Sequence, residues 1–529
     1  MKHLSTALFL FVPLFAFSQK GYTRLHNQML DKAKAMLANE DYEDAAKIYK
    51  QLLPVDPAFV EVYHEMGVCQ WNIRARRSTA ADYFEKGVAG GYIESYYELA
   101  KARHWQQRFD EAIALCGEYK QQHGRLVNNA EVDRLIGMCV TAKGLAQDPV
   151  DLKIRNMGGM INSPAHDYCP LVTADGNTMY FTSRREGTTG RMKDPYGNWF
   201  EDIYTAIRMD EVWSNAVNAG EPLNTLVHDA TVGLSPDGRS MIIYRTQQNL
   251  VSGDLYETRM HAMKWQEPEL MTPRINGEHH EPSASIAPSG QEIYFTSDRP
   301  GGFGGRDLYR IRRLPNGEWS LPLNLGPNVN TPHDEDAPFM HSDGTTLFFS
   351  SNGHNTMGGY DIFKTVLTDH DMNGWSTPEN MGYPLNTVND DIYFCLSDDG
   401  RTGYFSSERA EGFGMQDIYQ VTFPNSQLDR VFVRGVVADL NEEPVKARII
   451  LMDAMGEEIV GIYNTNERTG RYLMVLGVDN EYQMTVEAPG YASYQGTIVA
   501  KAGEGTQEMA MDIVLHSIHA SDGLSRNEE

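Results

Sequence analysis

The chain has 529 residues, too many for one hydrophobic core, so several domains are expected. Its 72 Asp and Glu against 46 Lys and Arg leave a net charge of −26. Such a surface repels phosphate backbones and takes nucleic acid out of the expected partners.

The first element is "MKHLSTALFLFVPLFAFS". Lys2 supplies a positive start, Leu8 to Phe15 an apolar core, and Ala16-Phe17-Ser18 a small-x-small cleavage pattern. This predicts a signal peptide over 1–18, cut before Gln19. The run is too short to span a bilayer, so no transmembrane span is expected. The first cysteine is Cys69, so no lipid anchor is expected either. With Cys116, Cys139, Cys169 and Cys395 it makes an odd, scattered set without a CxxC pair. Neither a disulfide framework nor a zinc site is indicated. The five read as small buried apolar residues, with one pair inside the helical region left open.

From 19 to 148, small and aromatic residues recur at helical spacing. Ala33, Gly67 and Ala100 stand 34 and 33 residues apart, and Ala33 to Ala45 and Ala100 to Ala112 both span 12. Tyr42 and Phe109 each precede x-x-Ala, and Pro57 closes the first copy. The pattern resembles tetratricopeptide repeats, in which small residues let paired helices approach and aromatics fill between pairs. The middle copy departs from it at "NIRARRSTAADYF", and "EVDRLIGMCVTAKGL" reads as a capping helix. Arrays of this kind bind protein segments on a concave face, although three copies also suit a docking or dimerisation arm.

From 149 to 425 one unit is written five times. A turn recurs as Asp175-Gly176, Asp237-Gly238, Ser289-Gly290, Asp343-Gly344 and Asp399-Gly400, at intervals of 53 to 62 residues. Each turn leads into a strand ("MYFTS", "MIIYR", "IYFTS", "LFFSS", "GYFSS"), and Gly supplies the positive φ that a tight hairpin needs. Each copy then reaches Asp-apolar-aromatic, starting at Asp202, Asp254, Asp307, Asp361 and Asp417. Trp213, Trp265, Trp319 and Trp375 follow in four copies, and then Asn224, Asn276, Asn330 and Asn386. A supersecondary period of this length predicts a β-propeller of four strands per blade. Only four outer strands lie between the five inner sets. "VDLKIRNMGGMINSP" is expected to supply the fifth from the front, giving five blades without free edges.

"SPDGRSMIIY", "APSGQEIYFTSDRPGGFGGRDLY" and "HSDGTTLFFSSNGHNTMGGYDIF" resemble the PD40 (TolB-type, WD40-like) propeller repeat. Eight residues before each turn stands an acid: Asp167, Asp229, Glu281, Glu335 and Asp391. One place earlier stand His166, His228, His280, Asp334 and Asp390. If first strands line the axis, five carboxylates surround its mouth. Like charges at that spacing repel unless a cation or basic group sits among them, which makes an axial cation or basic-segment site one reading. The other is that each carboxylate pairs with an Arg or backbone N–H of a neighbouring blade, with Arg185, Arg299 and Arg409 as ready partners. The three histidines could hold zinc if they converge, or serve as surface and hydrogen-bonding residues; no metal is assigned. The first copy also carries an extra loop, "EGTTGRMKDPYGNW", which is either a contact site or a tolerated insertion.

From 428 to 518, alternating apolar and polar residues over seven or so short strands predict a small β-sandwich. Gly435-x-Val437, Pro444-Val445, Thr469-Gly470-x-Tyr472 and Pro489-Gly490-Tyr491 resemble the carboxypeptidase regulatory-like domain, a non-catalytic family. Its core is expected at Val437, Ile449, Leu451, Tyr472 and Val486. The polar tail 519–529 is expected to be disordered. No GxSxG elbow, HExxH pair, P-loop or sialidase-type Asp box occurs, so neither an enzyme nor a cofactor is expected.

Taken together, this order resembles that of periplasmic, outer-membrane-associated proteins of the Bacteroidota. It is similar to a periplasmic component of type IX secretion in which an OmpA-like peptidoglycan-binding domain follows. No such domain follows here, so peptidoglycan is expected to be reached only indirectly. The resemblance implies a non-enzymatic periplasmic scaffold, peripheral to the outer membrane, whose partners are envelope or outer-membrane proteins, in secretion or gliding machinery. The alternative is a glycan- or peptide-binding module.

Overall fold

The computed structural model of the chain describes residues 22–123, 129–173, 176–210, 212–250, 252–369, 372–398, 400–424, 430–454, 459–466, 469–477, 480–501 and 507–518. The expected signal segment and polar tail lie outside the described residues, as do Asp175 and Asp399 of two turns. Two compact units meet in sequence at Lys143 and Gly144. The chain is thus multidomain, helical first and mostly β thereafter.

The helical part comprises α1 (Arg24–Ala38), α2 (Tyr42–Leu52), α3 (Val60–Asn72), α4 (Ala80–Ala89), α5 (Glu94–Trp105), α6 (Phe109–His123) and α7 (Asn129–Gln147), and the first unit ends within α7. The Thr23 hydroxyl accepts from the His26 N–H and caps α1. Helices pack in sequence as α1 on α2, α3 on α4 and α5 on α6. The small residues sit where helices touch: Ala33, Ala45, Ala100 and Ala112 are fully buried. A Cβ on Gly67 would lie 2.5 Å from Phe84 Cε1, so α3 and α4 approach as closely as they do because residue 67 is glycine. The insertion in the middle copy is a 3₁₀ turn, Arg74–Thr79.

The second unit contains five antiparallel sheets, designated I to V. Their first three strands are Asp167–Val172, Thr178–Ser183 and Asp202–Met209 in sheet I. In sheet II they are Asp229–Leu234, Ser240–Thr246 and Gly253–His261. Sheet III has Ala284–Ile286, Glu292–Ser297 and Asp307–Arg312. Sheet IV has Glu335–Met340, Thr346–Ser351 and Asp361–Asp369, and sheet V has Asp391–Leu396, Thr402–Ser407 and Asp417–Thr422. The glycines of all five hairpins have φ between +65° and +72°, a region closed to most side chains, which is why each turn ends in glycine. Short outer strands carry Trp213, Trp265 and Trp375. Each meets a second-strand tyrosine of the sheet before it edge-on: Trp265 with Tyr180, Trp375 with Tyr294, and Trp213 of sheet I with Tyr404 of sheet V.

Sheet V takes its outer strand from far upstream. Lys153–Asn156 pairs antiparallel with Asp417–Thr422, Ile154 opposite Val421. A repeated asparagine bonds both main-chain groups of the first apolar residue in each third strand. Asn224 holds Ile203, Asn276 holds Leu255, Asn330 holds Leu308 and Asn386 holds Ile362. In sheet V this residue is Asn162, with both bonds to Ile418 at 2.9 Å. First strands of successive sheets touch one another, and that of sheet V touches that of sheet I. All five contribute to the wall of one cavity of about 40 Å³.

The remainder of this unit forms two four-stranded sheets around a common core. Val437, Ile449, Leu451, Tyr472 and Val486 are all buried in it. Eight strands are described, one more than the alternation predicted. The additional one arises because the last stretch breaks into Gln507–Ala510 and Ile513–Leu515, both parallel to Arg430–Asp439. Gly435 allows that crossing, since a Cβ there would meet the Met511 carbonyl at 1.7 Å.

Candidate functional site

Four of the five first strands begin on the repeated acid, and Glu281 precedes the fifth. This defines an acid end and, opposite it, a hairpin end. All five acids are buried, with side-chain exposure between 0% and 4% in the four that form ion pairs. Their oxygens are engaged by the chain itself. Asp167 accepts from Ser163 N and Oγ at 2.6 and 2.7 Å and from Arg185 at 2.5 Å. Asp229 accepts from Thr225 N and Oγ1 and from Arg245 at 2.5 Å. Asp391 accepts from Thr387 N and Oγ1 and from Arg409 at 3.4 Å. Glu281 accepts from Ser297 Oγ and Arg299 at 3.1 Å; four residues before it stands Gly277, which has no hydroxyl to offer.

The arginines come from the same sheet as their acid, just past or at the end of the second strand. Each also donates to a carbonyl of the preceding loop: Ile161 for Arg185, Leu223 for Arg245, Ile275 for Arg299 and Leu385 for Arg409. Each lies over an aromatic ring of its own sheet at 4.6–5.5 Å. Arg245 escaped the sequence pattern because it stands directly opposite Asp229 in the ladder, where sheets I, IV and V have serine.

Sheet IV is different. Where the other sheets have arginine, it has Gly353 followed by His354. His354 Nε2 bonds the Val329 carbonyl at 2.8 Å and its ring packs on Phe349 and Phe363, so it takes over the arginine's carbonyl and aromatic contacts. Burial holds its pKa below the ordinary histidine value, so it is neutral. Glu335 is left with Thr331 N, Thr331 Oγ1 and Ser351 Oγ, at 2.7–2.8 Å, and no cation. Burial pushes its carboxyl up to about 7. Burial likewise raises Asp229 and Asp391, against the pull of their arginines.

Three of the residues one place earlier join adjacent sheets. His228 Nδ1 meets the Glu201 N–H at 3.3 Å, and Asp334 and Asp390 accept from the N–H groups of Arg306 and Tyr360 at 2.9 Å. His228 also faces Glu201 Oε2 at 3.1 Å and stacks on Phe200. His166 is half-buried, and its carbonyl accepts from Arg184 N; His280 is exposed with its ring edge toward Tyr244. Among the described residues no group of three or more His, Cys, Asp or Glu is placed to hold a metal.

A basic group does sit among acids at the acid end. Arg306 donates to Asp336 at 2.7 Å and to the Tyr360 hydroxyl at 2.6 Å, with Asp334 at 3.8 Å. Ser283 donates to the other oxygen of Asp336. Tyr168 stacks on Tyr393 at 5.7 Å and donates to Glu201. Sequence reasoning missed this cluster because none of these positions repeats in all five copies. In the extra loop of sheet I, Asp194 accepts from Tyr196 N and Asn198 N and pairs with Arg184 at 2.6 Å, leaving Tyr196 exposed. The five cysteines are buried and free, and no helix among the described residues is long and apolar enough to cross a membrane.

No family model and no curated protein matches the chain. Solved structures similar to parts of it include the type III secretion chaperone SycD of Yersinia enterocolitica, in complex with a peptide of the translocator YopD. That similarity has 15% identity, covers 24% of this chain and 98% of that one, and has a TM-score of 0.22. They also include YrrB, described as a TPR protein with an unusual peptide-binding site, at 20% identity over 22% of this chain and a TM-score of 0.20. The chain spans 61% of YrrB, less than two thirds of its length. A glycoside hydrolase is similar over 54% of this chain and 96% of its own, at 8% identity and a TM-score of 0.38. At these TM-scores none of them assigns a fold or an activity to this chain.

Proposed function

We propose that this protein is a non-enzymatic scaffold of the bacterial envelope, periplasmic and peripheral to the outer membrane, that joins envelope proteins in type IX secretion or gliding machinery. In this reading sheets I to V close as a five-bladed PD40-type propeller, preceded by tetratricopeptide-like repeats and followed by a carboxypeptidase regulatory-like sandwich. Closure is supported by the pairing of Lys153–Asn156 with sheet V and by the contact of Trp213 with Tyr404.

One observation carries the functional reading: the acids repeated in every copy are buried and bonded within the fold. Carboxylates that act on a substrate must reach it, whereas these hold strand to loop. The chemistry that recurs is therefore used to build a rigid support, and the surfaces left for function are contact surfaces. A ligand-binding module is the second reading, favoured by the cavities along the first strands.

Copurification from gently solubilised membranes, read by mass spectrometry, tests the proposal. Outer-membrane or secretion-machinery proteins should be recovered in fixed ratio to the chain. A pure monomeric protein that recovers none of them and cleaves an envelope polymer would sink it.

A further inference from the structure

At the hairpin end, opposite the acids, the first strands surround a second and larger chamber of about 280 Å³. Its floor is the last residue of each first strand: Val172, Leu234, Ile286, Met340 and Leu396. Val172, Leu234, Phe339 and Cys395 line both this chamber and the small cavity described above, so the two adjoin. One wall comes from outside the five sheets, since Arg434 of the strand Arg430–Asp439 reaches the chamber.

The charged residues of the lining are Arg208, Arg434 and Asp398, a positive balance in a chain of net charge −26. Arg208 is oriented by its bond to Tyr404. Ser342 contributes a hydroxyl that is buried and has no hydrogen-bond partner in the structure. An unpartnered buried hydroxyl costs free energy unless something accepts from it. Ser342 thus lines the chamber with a hydroxyl that no group of the chain accepts from, and two guanidinium groups in the same lining suit an anion.

We propose that this chamber binds a small carboxylate with an apolar body. The body rests on the five-residue apolar floor. The carboxylate faces Arg434 and Arg208 and accepts from Ser342 Oγ. Two arginines offset by one aspartate match a single negative charge rather than a doubly charged phosphate. The volume lies at the small end of ligand pockets, which run from roughly 300 Å³ upward, so only a short body fits. A free short-chain acid and the C-terminal residue of a polypeptide share this chemistry. The proposal is independent of whether the protein is a scaffold.

The test uses the full chain with hexanoate, its neutral counterpart hexanamide, and the peptide Ala-Ala-Leu with a free or amidated C-terminus. Titration calorimetry and melting shifts should show saturable binding of at least one carboxylate at millimolar concentration and none of either amide. Preference for the peptide acid would identify a polypeptide C-terminus as the source, and preference for hexanoate a free acid. R434Q, at an exposed position, should weaken binding by roughly tenfold, and S342V should also weaken it. The proposal is overturned if no carboxylate saturates below about 10 mM, if amides bind as well as acids, or if folded R434Q and S342V both bind like the wild type.

Discussion

Glu335 is chemically the odd member of the five acids. Its carboxyl stands at about 7 in the fold against an ordinary glutamate value of 4.5, because it is buried among hydroxyls without a cation. Between those values the folded state holds a proton that the unfolded state has released. This group's contribution to stability is therefore whole below 4.5, falls as pH rises, and is gone above 7. The difference amounts to about 3 kcal/mol. His354, held below its ordinary value, acts in the opposite sense: its contribution is present above 6.5 and is lost as pH falls through its folded value. E335Q keeps an oxygen for the Thr331 N–H and can donate to Thr331 Oγ1 and Ser351 Oγ. Denaturant melts should find it at least as stable as the wild type at pH 8 and with a weaker slope between pH 5 and 7. A wild-type slope in E335Q would refute this account. Arg409 is the opposite case, a largely buried cation bonded to the fully buried Asp391 and to the carbonyls of Pro384 and Leu385. R409M leaves a buried carboxylate and two carbonyls without it and should cost about 3–5 kcal/mol, measured the same way. A loss within about 1 kcal/mol would mean that water replaces the guanidinium.

At the level of elements, what repeats was legible and what a side chain turns toward was not. "LFFSS" after Asp343-Gly344 is the strand Thr346–Ser351, and Asp361-Ile362-Phe363 opens the next, because the hairpin turn and the period of two leave little choice of register. The asparagines were visible as a repeat, but not their role of gripping a main-chain N–H and C=O. That role explains why Asn162 belongs to the series although it precedes the first copy. The acids were visible as a repeat, yet their place before or at the start of a strand did not reveal that four of the five carboxylates accept from a residue four positions back. Arg306, Tyr168 and Tyr393 escaped because they occur once. Three substitutions weigh such devices. N162A frees both main-chain groups of Ile418 and should cost about 2–5 kcal/mol in chemical denaturation, comparable to N386A in sheet IV. If N162A were silent while N386A was costly, the upstream strand would not hold sheet V. G67A puts a methyl against Phe84 and should cost about 1–3 kcal/mol, seen as a lower helical melting midpoint; a neutral result would show that α3 and α4 can part.

For the molecule as a whole, the consequential feature is that the strand finishing the last sheet precedes all five sheets in sequence. Sheet V is complete only when residues 263 to 269 positions apart have met, from Asn156 with Tyr419 (419 − 156) to Lys153 with Thr422 (422 − 153). Loop closure over that distance costs entropy that local hairpins do not bear, so sheet V should gain its edge late in folding. Until then the strand Asp417–Thr422 presents unpaired N–H and C=O groups, a surface open to other chains. A chain beginning at Asp148 keeps Lys153–Asn156 and Asn162, and lies within the compact unit that starts at Gly144. A chain beginning at Ser163 loses the strand and both asparagines while removing only 15 further residues. The longer one should melt in one cooperative step and elute as a monomer; the shorter should melt earlier and associate, as read by calorimetry and light scattering. Equal melting and equal monomer content would mean that sheet V stands without its upstream edge, and the proposed closure of the five sheets would lose that support.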